Sequence, residues 1–393
     1  MTRRYPARDQ VAIVGVGTTT FTRDSGRSEL SLVVEAAQNA IKDAGLSKHD
    51  IDGLSGDILR NEILQSALGI PETGWSVSCL TAFNIQMTNA MMAVASGVCE
   101  TVLVYHSMYR TPMLSASAAK DPYRRRAQTF IGTRRPQSHW PDSIAGEASV
   151  YAPWARKYFD TYKVRPEHLG YIAVNARNNA RMNDHAAVRD PLTIDDYLKA
   201  PVLWDPLRML DMEFPVDGAD AFVVTTAERA RDLPHRPVLI HAAVAGQTDR
   251  TAEENLRDVD HSSQAVVSRR LWDVSDLTLD DVDVYYPFDG FTITTLKWME
   301  DIGYCGLGEA GDFLDDNWDP ATERIVINGR VPVNSHGGNM SEGASQGSGH
   351  IREAVQQLRG DAGQRQVEGA RVALVTPGGF FFTPGGLILR TPE

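Results

Sequence analysis

The chain has 393 residues, 42% hydrophobic and 23% charged, with 39 Lys and Arg against 51 Asp and Glu for a formal net charge of −12. That acidity argues against a nucleic-acid partner, and no run of about 18 uninterrupted apolar residues offers a membrane span. Its three cysteines, Cys79, Cys99 and Cys305, are too few and too scattered for a disulfide framework or a Cys-x-x-Cys metal site. No metal is therefore expected. The N-terminus lacks the apolar segment of a secretory signal, which makes a reducing cytoplasm the expected compartment.

Val11–Gly17 reads as a strand and leads into a Gly/Thr-rich turn. Leu30, Val33, Ala36, Ala37, Ala40 and Ile41 then recur at helical spacing, predicting a helix from Ser28 to Ala44 closed by Gly45. Ala82–Ala95 is rich in small residues and uncharged all round, a pattern that predicts a helix buried on every side. The strand Thr101–Tyr105 follows. Residues 110–215 are heterogeneous and aromatic (Tyr151, Trp154, Tyr158, Phe159, Tyr162), and read as an inserted cap or loop domain. Within them Lys120, Arg124, Arg125, Arg126 and Arg134 are opposed only by Asp121. Such a cluster suits an anionic ligand, or equally a solvated loop or subunit contact. Ala219–Thr226 and Val238–Gln247 read as strands returning to the core. The second half repeats helix, strand and helix (Phe291–Ile302). Asn334–Gly338 then leads to a helix near Gly349–Arg359, a strand Val372–Val375, a Gly/Pro/Phe loop and a final strand.

Two stretches of the chain echo each other. Ala44-Gly45-Leu46-Ser47-Lys48-His49-Asp50-Ile51-Asp52 returns as Ser275-Asp276-Leu277-Thr278-Leu279-Asp280-Asp281-Val282-Asp283, and Val102–Tyr105 returns as Ala373–Thr376. Alternating strands and helices predict an α/β architecture with much parallel sheet. Two such halves, 1–260 with the insertion and 261–393, predict a five-layered αβαβα sandwich in which buried helices lie between two sheets.

The segments Val11–Gly17, Ala40–Asp52, Ala93–Gly97, Asp289–Thr292, Met299–Cys305, Asn334–Gly338 and Gln357–Gly360 together resemble the thiolase superfamily, in its sterol-carrier and lipid-transfer branch. The resemblance implies a duplicated thiolase fold. It also implies a nucleophilic Cys at the start of the buried helix, where amides and the helix dipole activate it. That position falls on Leu80. Phe288 and Ala344 stand where the family carries reactive side chains, and Thr376–Gly379 holds no second Cys. A one-residue slip would bring in Cys79, which is otherwise a small buried hydrophobe. The chain also resembles thiolase-like aldolases that split β-hydroxyacyl-CoA thioesters of steroid side chains alongside a small zinc-ribbon/OB-fold partner. Their Tyr residues align with Phe288 and Ala344, so that chemistry would move to other groups.

A retro-aldol step needs a base for the β-hydroxyl proton and a stabiliser for the thioester enolate. His336, in a Gly-rich turn, is the first candidate for either role, with loop fixation as its alternative; His350 is a weaker one. Asp289 can orient a hydroxyl or cap a helix. Tyr286 can supply a phenol or pack the core. Ser345 and Gln346 are polar enough to bind a hydroxyl. Gly338, Gly378 and Gly379 allow backbone amides near a thioester oxygen, or simply form turns. Arg124 and Arg125 are candidates for the coenzyme A phosphates.

Three functions follow as expectations: an acyl-CoA lyase (aldolase) without a covalent intermediate, a non-catalytic acyl-CoA binding or assembly subunit, and a Cys79-dependent acyltransferase. Coenzyme A enters only as part of the substrate. The resemblance further implies a homodimer paired through a sheet edge.

Overall fold

The computed structural model describes residues 5–57, 59–79, 83–110, 148–248, 260–379 and 384–392. Arg124 and Arg125, with the rest of the basic cluster, lie outside the described residues, as do Leu80 and the loop 380–383.

The first repeat begins with β1 (Val11–Thr18) and α1 (Glu29–Asp43). The Ser28 side chain caps α1 by accepting the Ser31 amide, and Leu32, Val33, Ala36, Ala37, Ala40 and Ile41 form its buried stripe. Glycine lets α1 approach β1 closely: a β-carbon on Gly17 would stand 2.1 Å from the Ala36 carbonyl oxygen. The repeat continues through β2 (Gly53–Gly56), α2 (Asn61–Leu68), β3 (Trp75–Ser78), α3 (Phe83–Ala95) and β4 (Thr101–Tyr109). The insertion supplies α4 (Ala148–Thr161), α5 (Pro166–Ala180), α6 (Ile194–Lys199) and a hairpin of β5 (Val202–Trp204) and β6 (Leu207–Arg208) before β7 (Asp217–Thr226). By strand order the second repeat opens with β8 (Val238–Ala245) and continues as α7 (Ser263–Val274), β9 (Val284–Pro287), α8 (Thr292–Ile302) and α9 (Ala310–Asn317). A small meander, β10 (Trp318–Asp319), β11 (Arg324–Ile327) and β12 (Val331–Pro332), precedes α10 (Gly338–Ser341), α11 (Ser348–Arg359), β13 (Val372–Thr376) and β14 (Gly385–Arg390).

The strands do not form two separate sheets. Among the described residues, the strands outside the β5–β6 hairpin and the β10–β12 meander make one nine-stranded sheet in the order β3-β2-β4-β7-β1-β8-β14-β13-β9. The two halves join where β1 pairs antiparallel with β8, Ala12 opposite Leu239 and Ile13 opposite Val238. Layering is nevertheless as expected. α1 covers the outer face of the first half, and α7, α8 and the insertion's helices cover the outer face of the second. α3 and α11 lie between, packed on Val102, Val104 and Phe222 from one half and on Val284, Ala373 and Leu387 from the other. Fully buried Phe83, Met87 and Met91 anchor α3 there, each contributing about 1.5–3 kcal/mol of apolar burial. Contrary to expectation, α3 is not enclosed on every side. Met92 is 49% exposed and Ala95 is open as well. The absence of charge therefore reflects an open apolar face and not complete burial.

The internal repeat holds to the level of register. Asp50 and Asp281 each close a one-turn helix by accepting the amide and hydroxyl of Ser47 and Thr278 respectively. Asp52 accepts the amides of Glu100 and Thr101, and Asp283 those of Arg371 and Val372. One residue further on, Gly53 pairs in parallel with Val102 and Val284 with Ala373. The carboxyl ends of β2 and β4 in one half thus match those of β9 and β13 in the other.

Candidate active site

At the end of β9 the chain turns through Phe288-Asp289-Gly290. Asp289 is fully buried and accepts the amides of Asn339 at 2.7 Å and Met340 at 3.4 Å, so it caps α10 and not the helix that follows it. Gly338 is required there: its φ is +58° and a β-carbon would fall 1.9 Å from Asp289 Oδ2. The same carboxylate lies 3.1 Å from His350 Nε2, on the first turn of α11. His350 Nδ1 is buried and has no hydrogen-bond partner among the described residues.

His336 stands beside this pair, its ring edge-on to that of His350 with centroids 4.8 Å apart. Both its nitrogens are buried without a hydrogen bond, and Nε2 comes within 3.9 Å of Glu342 Oε2. Burial, followed by the neighbouring His350, holds its pKa well below the ordinary 6.5. The ring is therefore a neutral imidazole at pH 7, able to donate from one nitrogen and accept at the other. Glu342 is itself fixed by Asn183 at 2.7 Å and Arg352 at 2.5 Å. Arg352 also reaches Asp220, which accepts the Ser348 hydroxyl at 2.6 Å.

The remaining candidates divide by position. Ser345 bonds Asn339 Oδ1 through both its amide and its hydroxyl, and its Oγ accepts the Gly349 amide, so it knits the turn before α11. The Gln346 carbonyl accepts the Phe83 amide at 3.3 Å and ties that turn to the first residue of α3. Ala344 is buried among Phe21, Met108 and Val216. Tyr286 lies behind the site in the central layer, bonded to Ser335, its phenol raised well above the ordinary 10 by burial; its ring is edge-on to His336 at 5.7 Å. The Gly378 carbonyl accepts Trp298 Nε1 at 2.7 Å. Gly379 presses on Thr294, near Gln264, and both of these side chains hold a buried oxygen without a hydrogen-bond partner. Cys79 ends β3 in the first half, its amide bonded to Gly56 and its carbonyl to the Gln86 side chain. Asp289, Gly338, His336, Ser345 and Gln346 thus converge; Cys79 comes from the first half and is bonded to Gln86, on the turn of α3 whose Phe83 meets Gln346. Among the described residues no group of three or more His, Cys, Asp or Glu side chains is arranged to hold a metal ion.

The Asp289–His350 pairing was not legible from spacing, because 61 residues separate the partners. The one signal in the sequence is that both lie within stretches that carry the resemblance. The Glu342–Arg352–Asp220 bridge was missed for the same reason.

A duplicated α/β chain with a buried polar cluster at the carboxyl ends of equivalent strands is a thiolase fold. Residues 245–391 match the family model "Thiolase C-terminal domain-like". The chain is 36% identical over 390 residues to the 17-hydroxy-3-oxo-4-pregnene-20-carboxyl-CoA lyase of Mycobacterium tuberculosis, covering 94% of this chain and 96% of that one. It is 33% identical over 367 residues to the steroid side-chain-cleaving aldolase of Thermomonospora curvata, covering 89% and 90%. The solved Ltp2-ChsH2(DUF35) aldolase superposes with a TM-score of 0.85 at 32% identity over 98% of both chains. The chain belongs to the thiolase-like family that contains these lyases.

Proposed function

We propose that this protein is a carbon–carbon lyase that cleaves a bulky, steroid-like β-hydroxyacyl-CoA by a retro-aldol step without a covalent cysteine intermediate. The observation that carries the reading is the buried Asp289–His350 pair beside the neutral His336. Asp289 orients His350, leaving Nδ1 as the open nitrogen that takes the β-hydroxyl proton. His336, held neutral, donates a hydrogen bond to the oxygen of the thioester enolate as the Cα–Cβ bond breaks. A neutral donor in a water-poor pocket is effective for such an oxyanion. The names of the relatives support the substrate class.

The same reading takes a second copy and a second protein. The outer edge of β3 has no sheet neighbour among the described residues, and the open, uncharged face of α3 suits a two-fold contact. The partner in the Ltp2-ChsH2(DUF35) aldolase supports a small zinc-ribbon/OB-fold subunit here. No described helix is long and apolar enough to cross a membrane, which is consistent with a cytoplasmic enzyme.

The test is turnover of a panel of β-hydroxyacyl-CoA and β-ketoacyl-CoA thioesters, with and without such a partner. Cleavage that is lost in His350→Gln and His336→Ala but kept in Cys79→Ala supports the lyase. Loss on Cys79→Ala returns the acyltransferase. The buried, inert Ala344 and Phe288 favour a second reading, a binding subunit, which predicts tight acyl-CoA binding with no turnover.

A further inference from the structure

Asp57 and His106 form another buried acid–base pair, contributed entirely by the first half. They are 6% and 2% exposed, and His106 Nδ1 is in ion-pair contact with Asp57 Oδ2. Both His106 nitrogens are buried without a hydrogen bond among the described residues, Nδ1 held against Asp57 by close contact alone. The register of the repeat gives the pair its meaning. Counting from the matched Asp52 and Asp283, Asp57 is the counterpart of Phe288. Counting from the matched Val102 and Ala373, His106 is the counterpart of Pro377. The pair therefore occupies, in the first half, the strand ends that border the site in the second.

His106 also faces the central layer, where α3 and α11 lie. Val102 and Val104 of β4 point into the central layer, Leu103 and Tyr105 away from it, so alternation places His106 on the central face. There its ring lies 5.7 Å from that of Phe83, whose amide is bonded to Gln346. Across the ladder His106 stands directly opposite Asp220, and such partners share a face with β-carbons about 5 Å apart. Asp220 holds Arg352, Arg352 holds Glu342, and Glu342 adjoins His336. Buried polar groups thus run from Asp220, the ladder partner of His106, through Arg352 and Glu342 to His336 beside His350.

We infer that His106, oriented by Asp57, is the group that gives a proton to the α-carbon of the thioester enolate, a role that rests on the lyase reading. In that step His350 takes the β-hydroxyl proton, the Cα–Cβ bond breaks, and its electrons form the enolate as the C–O bond becomes a carbonyl. His106 then passes its proton to Cα, completing the short acyl-CoA. The proton held by His350 returns through solvent to His106, so none is gained or lost over the cycle. Two proton transfers at neighbouring atoms are served by two imidazoles, each beside a buried carboxylate and each with an unbonded nitrogen.

The experiment is solvent deuterium exchange into the α-position of propionyl-CoA, followed by mass spectrometry. It needs the enolate and its proton donor but no hydroxyl base. Wild type should exchange, and His106→Gln should do so about 100-fold more slowly or worse, the usual reach of a general acid. His350→Gln should lose cleavage. Asp57→Asn, which keeps the shape of the positioning side chain, should slow exchange with the KM for propionyl-CoA unchanged, whereas a merely structural role would weaken both. Undiminished exchange in folded His106→Gln, or none in wild type, overturns the assignment. Exchange by wild type without cleavage of any β-hydroxyacyl-CoA overturns the lyase reading alone.

Discussion

Cys79 and His336 occupy equivalent places in the two repeats. Ser76 pairs with Leu54, and Val333 bridges to Tyr285, the counterpart of Leu54; three residues beyond Ser76 and Val333 stand Cys79 and His336. One is a half-buried thiol at the tip of an edge strand, the other a buried imidazole among titratable groups. Round His336 stand the ring of His350 and the Glu342–Arg352 pair. Replacing Cys79 by Ala should leave kcat for thioester cleavage within a few-fold. His336→Ala should lower it by roughly 100- to 1,000-fold, as expected for loss of an oxyanion donor. Steady-state kinetics on the two variants decides the matter.

The depressed pKa of His336 makes stability fall in acid. Between its low folded value and the ordinary 6.5, the unfolded chain binds a proton that the folded chain does not. Stability from this source is intact above about pH 6.5 and declines below it, with a slope of up to about 1.4 kcal/mol per pH unit. His336→Gln should remove that slope. Denaturant unfolding of both proteins from pH 7 to 5 measures the difference, and parallel curves would refute the assignment.

Gly338→Ala should damage both fold and site. A β-carbon would meet Asp289 Oδ2 at 1.9 Å, and the positive φ adds strain. The backbone alone costs about 1–3 kcal/mol, and the displaced carboxylate releases His350. Thermal melting should show the lower stability, and kcat should fall further than in Gly329→Ala, where φ is also positive but nothing lies within 4 Å of the added atom.

Arg352→Met should be more costly than the loss of any surface pair. Arg352 is 2% exposed and serves two carboxylates, Asp220 and Glu342, exposed at 0% and 2%. Removing it strands both in the interior, at about 3–5 kcal/mol, whereas Arg156→Met, at an exposed pair with Asp205, should cost under about 1 kcal/mol. The double variant Arg352→Met with Glu342→Gln should recover part of the loss in chemical denaturation.

Much of this architecture could be read from the chain. The Asp52/Asp283 echo survives because each aspartate meets the start of the matching neighbouring strand. The Asp50/Asp281 echo survives as identical hydrogen bonds because local capping chemistry is written in residues three apart. The periodicity of α1 was legible for the same reason, and so was its capping. What sequence could not supply was contact across the layers. His350 reads as a residue on the first turn of a helix until Asp289 arrives from another strand, and the charge-free α3 reads as fully enclosed because composition does not distinguish an interior face from an open one. His106 reads as a candidate lining residue on its placement alone, and Asp57 as an ordinary end of a strand. Their meeting depends on β2 and β4 lying side by side.

The β1–β8 seam has a consequence of another kind. These are the opening strands of the two repeats, and they meet antiparallel, the geometry of two identical subunits related by a local dyad. The chain is in effect a dimer whose subunits have been tied together. Once tied, the copies no longer need to carry the same residue at matching places. One can keep a carboxylate and an imidazole where its sibling has phenylalanine and proline, and the division of labour between them becomes heritable.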